Sequence, residues 1–219
     1  LKENMRNMRL SGSFLALARE LDIMEPKTPE DVYKTHLEAA GRSTTANVDS
    51  ARANLATTFV NAFINAGFGQ DKLLLNESAT KTKWIHRNKG SGQLSAAASL
   101  GMLLMWDIDS GIQKIDAYLV SELDEVKAGA LLAIGMVCAS VTDDNEPAMA
   151  ILPEFVTHRS QMLRTQACMG LGLAYAGTAH EDVGPMVLEA FVDPKSSMEV
   201  VGVAAIALGQ IYVSTGNGK

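Results

Sequence analysis

Four glycines recur at nearly even spacing, and this recurrence limits the folds open to the chain more than any other feature. With Gly101, Gly135, Gly172 and Gly209 aligned, the spacings are 34, 37 and 37 residues. Each is preceded by an aliphatic residue: Leu100, Ile134, Leu171 and Leu208. Five positions earlier stands Ala96, Ala130, Ala167 or Ala204, and two positions earlier Ser99, Ala133, Gly170 or Ala207. Met105, Ala139, Ala176 and Val213 follow four positions later. Small and apolar residues kept in register at this period are the mark of a helical repeat. An interior glycine costs a helix about 1 kcal/mol relative to alanine, so four at one register need a compensating contact. Close approach of neighbouring helices supplies it.

Between these helices lie turn-rich connectors, Asp107–Gly111, Thr142–Asn145 and Gly177–Asp182, each leading into a second helix near 111–120, 146–157 and 182–192. Pro147 suits a first helical turn, whereas Pro153 should kink its helix. Each unit is a helix–turn–helix of about 35 residues that cannot bury its apolar face alone, so the units must stack. The expected fold is all-α: an α-solenoid, strongly curved by its tight glycine-lined wall, part of a toroid. Repeats are expected at about 92–123, 124–159, 160–195 and an incomplete 196–219. Residues 1–91 read as a helical lead-in. Phe14, Leu17 and Leu21 mark a first helix, and Thr28-Pro29-Glu30-Asp31 opens a second, running to about Ala40. Ala51, Leu55, Phe59, Ala62 and Phe63 form one helical face. Residues 76–92, with Lys81, Lys83, Arg87 and Lys89 around Trp84, read as a basic surface loop.

Charge separates along the chain. Residues 1–91 carry 13 Lys/Arg and 10 Asp/Glu, a net of +3, and residues 92–219 carry 6 and 15, a net of −9. The acidic half argues against nucleic acid, whose phosphates require a basic excess; a basic-rimmed protein surface suits it better. Two cysteines, Cys138 and Cys168, form no disulfide framework and point to a reducing compartment. No apolar run is long enough for a membrane span. The chain opens on Leu1 and stops just past an apolar helix, so it reads as a fragment of something longer.

Catalytic and ligand motifs fail on inspection. Gly170-Leu-Gly172 lacks both the preceding strand and the third glycine of a dinucleotide loop, Tyr175 standing in its place. His36, His86, His158 and His180 show no metal-ligand spacing, and both cysteines sit on apolar faces. No cofactor is called for and no nucleophile constellation appears, so the chain reads as a non-enzyme. What remains is an acidic set at the turns and second helices: Asp107, Asp109, Asp116, Asp143, Asp144, Glu146, Glu154, Glu181 and Asp182. Stacking would align these along one outer edge, either as a solvated face that keeps the chain soluble or as a partner surface with an exposed Tyr118 or a leucine as the apolar contact among them.

Leu171-Gly-Leu-Ala-Tyr-Ala-Gly-Thr178 and Ala205-Ile-Ala-Leu-Gly-Gln-Ile-Tyr212 resemble the proteasome/cyclosome repeat family, which includes the large non-ATPase subunits of the proteasome regulatory particle and the largest subunit of the anaphase-promoting complex. Val48-Asp-Ser-Ala-Arg52, Phe68-Gly-Gln-Asp-Lys72, Ser95-Ala-Ala-Ala-Ser-Leu-Gly101 and Lys195-Ser-Ser-Met-Glu-Val200 turn the resemblance toward the proteasome members. The resemblance implies a non-catalytic scaffold of cytoplasm and nucleus, beside the proteasome ATPase ring and other regulatory-particle subunits. Its implied partners are ubiquitin, the ubiquitin-like domains of shuttle factors and a deubiquitinating enzyme, with no nucleic acid and no membrane. Ubiquitin-like folds present an apolar patch ringed by basic residues, which the acidic set would complement. The alternatives within the resemblance are structural scaffolds of the sister proteasome subunit or the anaphase-promoting complex, and outside it a generic helical-repeat adaptor.

Overall fold

The structure, a computed structural model, describes residues 5–33, 48–75 and 81–216. The described residues form twelve helices and no strand. They are α1 (Leu10–Glu20), α2 (Pro29–Tyr33), α3 (Val48–Ile64), α4 (Lys81–Arg87), α5 (Ser91–Leu103) and α6 (Ile108–Leu119). Then follow α7 (Asp124–Val137), α8 (Pro147–Ile151), α9 (Pro153–Val156), α10 (Gln161–Ala174), α11 (Val183–Val192) and α12 (Met198–Tyr212). The chain is an α-solenoid. Helices α3, α5, α7, α10 and α12 pack in succession as one wall. The second helices α6, α9 and α11 lie against it, each touching the first helix of the unit that follows.

Local signals set the helix ends. Thr28 and Asp31 cap each other: the Thr28 amide donates to the Asp31 carboxylate at 2.8 Å, and the Asp31 amide to Thr28 Oγ1 at 3.3 Å. The continuation of this helix to Ala40 lies outside the described residues. Asp107 caps α6 through the Ser110 amide and hydroxyl. Pro153 divides the expected single helix into α8 and α9, because its ring excludes the preceding turn's hydrogen bond.

Three of the register glycines stand where backbones meet. A Cβ on Gly101 would lie 2.5 Å from Ala133 Cα, and one on Gly135 would lie 2.5 Å from the Gly170 carbonyl oxygen. At Gly172 it would reach 2.8 Å from Ala207 Cα. The partners Ala133, Gly170 and Ala207 are the small residues two places before the next glycine, so the two small positions of the repeat are the two sides of one contact. Gly209 differs from the expectation: nothing lies within 4 Å of its added Cβ, since no described helix packs on that side of α12.

The connectors add a second regularity. Five residues after each register position the backbone turns left-handed: Trp106 at φ 67°, Ser140 at 65°, Gly177 at 72° and Ser214 at 59°. Gly67, at φ 74°, obeys the same rule if Ala62 occupies the glycine register. Ala62 is buried, and α3 packs on α5 as α5 packs on α7. The stack therefore includes α3, which precedes the first register glycine. Helix ends leave carbonyls without intrahelical donors, and these turns fill the need across units. Gly67 N–H donates to the Met102 carbonyl at 2.9 Å, Trp106 N–H to Val137 at 3.1 Å, and Gly177 N–H to Gln210 at 2.8 Å.

Upstream, two expectations change. Residues 81–87 are helix rather than loop, and Trp84 docks with its indole N–H on Thr58 Oγ1 at 3.0 Å. Phe59 and Phe63 are exposed, the latter 67%, while Thr58, Asn61 and Asn65 face inward. Asn61 is satisfied by Asp71, whose carboxylate also accepts from the amides of Leu73, Leu74 and Leu75. The N-terminal segment crosses the turns as a strap. Phe14 rests between Phe68 and Trp106, and Asn7 donates to the Ser140 carbonyl at 2.8 Å.

Two outcomes test this packing. Gly135→Ala should destabilise the chain by ~1–3 kcal/mol through overpacking, whereas Gly209→Ala should be neutral or stabilising by up to ~1 kcal/mol from helix propensity; urea unfolding followed by circular dichroism separates them. Cys138 and Cys168 are buried in the wall, and desolvation pushes their thiols up to about 12 and about 11. Alkylation by iodoacetamide at neutral pH should be slow in the native chain and fast in denaturant, as few thiolates form.

Candidate docking surface

The acidic residues divide between two surfaces. Asp107, Asp143, Asp144, Glu146, Glu181 and Asp182 gather at the turn edge, where the wall helices end, while Asp109 stands in the first turn of α6. Asp116 and Glu154 lie on outer helices, both exposed.

Much of the turn edge is occupied from within. Arg6 of the strap pairs with Asp144 at 2.5 Å, and the Thr142 amide donates to the Arg6 carbonyl. Glu146, in a left-handed conformation at φ 42°, meets His180 Nε2 at 3.2 Å, joining two successive turns. Asp107 is a helix cap, and Asp143 accepts from the Asn145 amide at 2.7 Å. Asp144 and Glu146 are thus partnered rather than open to a ligand. Part of the acidic half is balanced by the basic half, which the charge count could not locate. Glu181 and Asp182 remain exposed.

Helix α6 presents a different face. Gly111 and Ile115 turn inward, and Ile115 is fully buried. Asp109, Gln113, Asp116, Ala117 and Val120 are exposed, and their spacing places them on one side of a 3.6-residue helix. Val120 is 80% exposed, and neither Asp109 nor Asp116 forms an ion pair among the described residues. Tyr118 departs from its expected role. It is half-buried, packed against the core, and burial pushes its phenol up from its ordinary value. Val120 is the exposed apolar side chain on this face that sequence reasoning missed; only the helical phase, fixed once Ile115 is known to face inward, would have revealed it. Beside this face runs a groove of about 840 Å³, bordered by Tyr118, Ala117, Val120, Leu74 and His86.

His158 Nδ1 accepts from the Ser160 amide at 3.1 Å, and His180 Nδ1 from the Asp182 amide at 3.3 Å. His36 lies outside the described residues. Among the described residues no group of three His, Cys, Asp or Glu could hold a metal ion, and no helix is long and apolar enough to cross a membrane.

Comparison with known proteins adds the lineage. The family described as RPN1 N-terminal domain matches residues 1–38, the segment that supplies the strap. Over 219 residues the chain is 45% identical to the 26S proteasome regulatory subunit rpn-1 of Neurospora crassa, covering 99% of this chain and 24% of that protein. Identity to the regulatory subunit rpn1 of Schizosaccharomyces pombe is 46% over 219 residues, covering 100% and 24%. The 26S proteasome non-ATPase regulatory subunit 2 of Dictyostelium discoideum is 43% identical over 215 residues, covering 98% and 23%. The chain thus spans about a quarter of the length of these relatives. With identity at this level from end to end, and with the repeat register built into the wall, the chain belongs to the family of the 26S proteasome regulatory subunit rpn-1 and non-ATPase regulatory subunit 2.

Proposed function

We propose that this chain is a non-catalytic scaffold segment of the proteasome regulatory particle, a section of a repeat toroid whose outer surface docks ubiquitin-like folds. The observation that carries the docking reading is the exposed Val120 at the end of α6, with the unpaired carboxylate of Asp116 one turn before it and that of Asp109 farther along the same face. A ubiquitin-like fold offers the complement, an apolar patch ringed by basic groups. Each exposed charge pair adds only ~0–1 kcal/mol, so the apolar contact and two or more pairs must act together. The resulting interface is small and transient, with affinity on the order of micromolar. Ubiquitin, shuttle-factor domains and a deubiquitinating enzyme carrying such a fold are the partners this face fits. The wall and turn edge are left for the ATPase ring and other regulatory-particle subunits. Cytoplasm and nucleus follow as its place of work.

The test is a titration of the chain into an isotope-labelled ubiquitin-like domain followed by NMR. Asp116→Lys combined with Val120→Asp should weaken binding at least ~tenfold, or 1.4 kcal/mol, with helicity unchanged. Reversing Glu181 and Asp182 to Lys should leave affinity within ~twofold, a difference of about 0.4 kcal/mol. The opposite pattern would move the docking surface to the turn edge and remove α6 from it.

A further inference from the structure

The chain's cations are not used alike. Arg6, Lys72 and Arg164 each face a carboxylate: Asp144, Glu25 and Asp193. Arg52, Arg87 and Lys89 face none among the described residues, yet all three are exposed and line one cleft of about 530 Å³. The cleft lies between the first turns of α3 and the turn from α4 into α5. Among the described residues no carboxylate lines it; its remaining described walls are small or neutral, with Leu55 and Ala51 as the apolar part.

One of these cations is held in place. The Arg87 guanidinium stacks 5.3 Å from the centroid of the Trp84 ring. Trp84 is fixed in turn by Thr58, and the Asn88 side chain donates to the Trp84 carbonyl at 2.8 Å. Three like charges in a concave, partly apolar site repel one another and concentrate positive potential. A bound polyanion relieves the repulsion.

We propose that this cleft binds an acidic segment of a partner protein, with carboxylates spaced along an extended chain meeting Arg52, Arg87 and Lys89 and an intervening side chain resting on Leu55. A peptide fits better than nucleic acid for two reasons: the cleft has an apolar wall, and the whole chain carries a net charge of −6 that opposes a long polyanion. The site lies on other elements than the α6 face and has the opposite sign, so it stands independently of the docking reading above.

The full chain is titrated against a fluorescein-labelled peptide alternating glutamate with leucine, read by anisotropy. Saturable binding that weakens with added salt is expected. Arg52→Glu with Lys89→Glu, which leaves the Arg87–Trp84 stack intact, should weaken it at least ~tenfold. Arg52→Gln with Lys89→Gln should weaken it less but in the same direction, and Lys127→Glu, outside the cleft, should leave it unchanged. Absence of saturable binding, equal affinity in the cleft variants, or equal loss with Lys127→Glu would overturn the proposal. So would binding of inorganic phosphate alone with no affinity for the peptide. Circular dichroism of each variant confirms that the fold is retained.

Discussion

Backbone-to-backbone contact between successive wall helices is the constraint on which the rest of this molecule depends. Gly101, Gly135 and Gly172 each meet the small residue two places before the next register position, and no side chain fits between them. A contact this close fixes the offset of one helix on the next to within a residue, because sliding by one position would drive a Cβ into a carbonyl. The second helices, the turns and their side chains are all carried on that offset. The placement of the outer side chains therefore rests on residues buried inside the wall.

The offset makes the cross-unit hydrogen bonds possible. A wall helix ends with carbonyls that its own turns cannot satisfy, and at α5, α7 and α12 the left-handed residue of the preceding connector (Gly67, Trp106 and Gly177) delivers an amide to one of them. Trp106 and Ser140 adopt this conformation without the freedom of glycine, so the stack imposes the geometry rather than the residue choosing it. Each unit then completes its neighbour, as expected of repeat proteins whose stability resides in interfaces between units. The buried Arg164 serves the same end, bridging the Val156 carbonyl and Asp193 at 2.9 Å each.

Electrostatics sorts the surfaces that remain. The basic strap neutralises part of the acidic turn edge through Arg6, leaving the α6 face as an acidic surface with an apolar centre. The cleft of Arg52, Arg87 and Lys89 is its basic counterpart at the start of the stack. Opposite signs on separate elements allow a scaffold to hold two kinds of partner without competition.

By itself the sequence determined the helical class, the repeat and the close wall contact, because glycine and alanine at one register have few other physical uses. The cap of Thr28 and Asp31 and the interruption at Pro153 were legible for the same reason: they act within a few residues. Tertiary structure alone decided what depends on which side of a helix a neighbour takes. Phe59 and Phe63 look like core until α5 packs on the Thr58–Asn61 side instead. Tyr118 looks like the surface contact until the inward turn of Ile115 leaves Val120 outside. The unit at α3 stayed hidden because Ala62 stands at the glycine position, and its membership shows in the turn at Gly67 and in the packing of α3 on α5. Asp144 and Glu146 look like open acids because Arg6 and His180 are distant in sequence. Periodicity records the spacing along one helix; only packing sets its phase against the others.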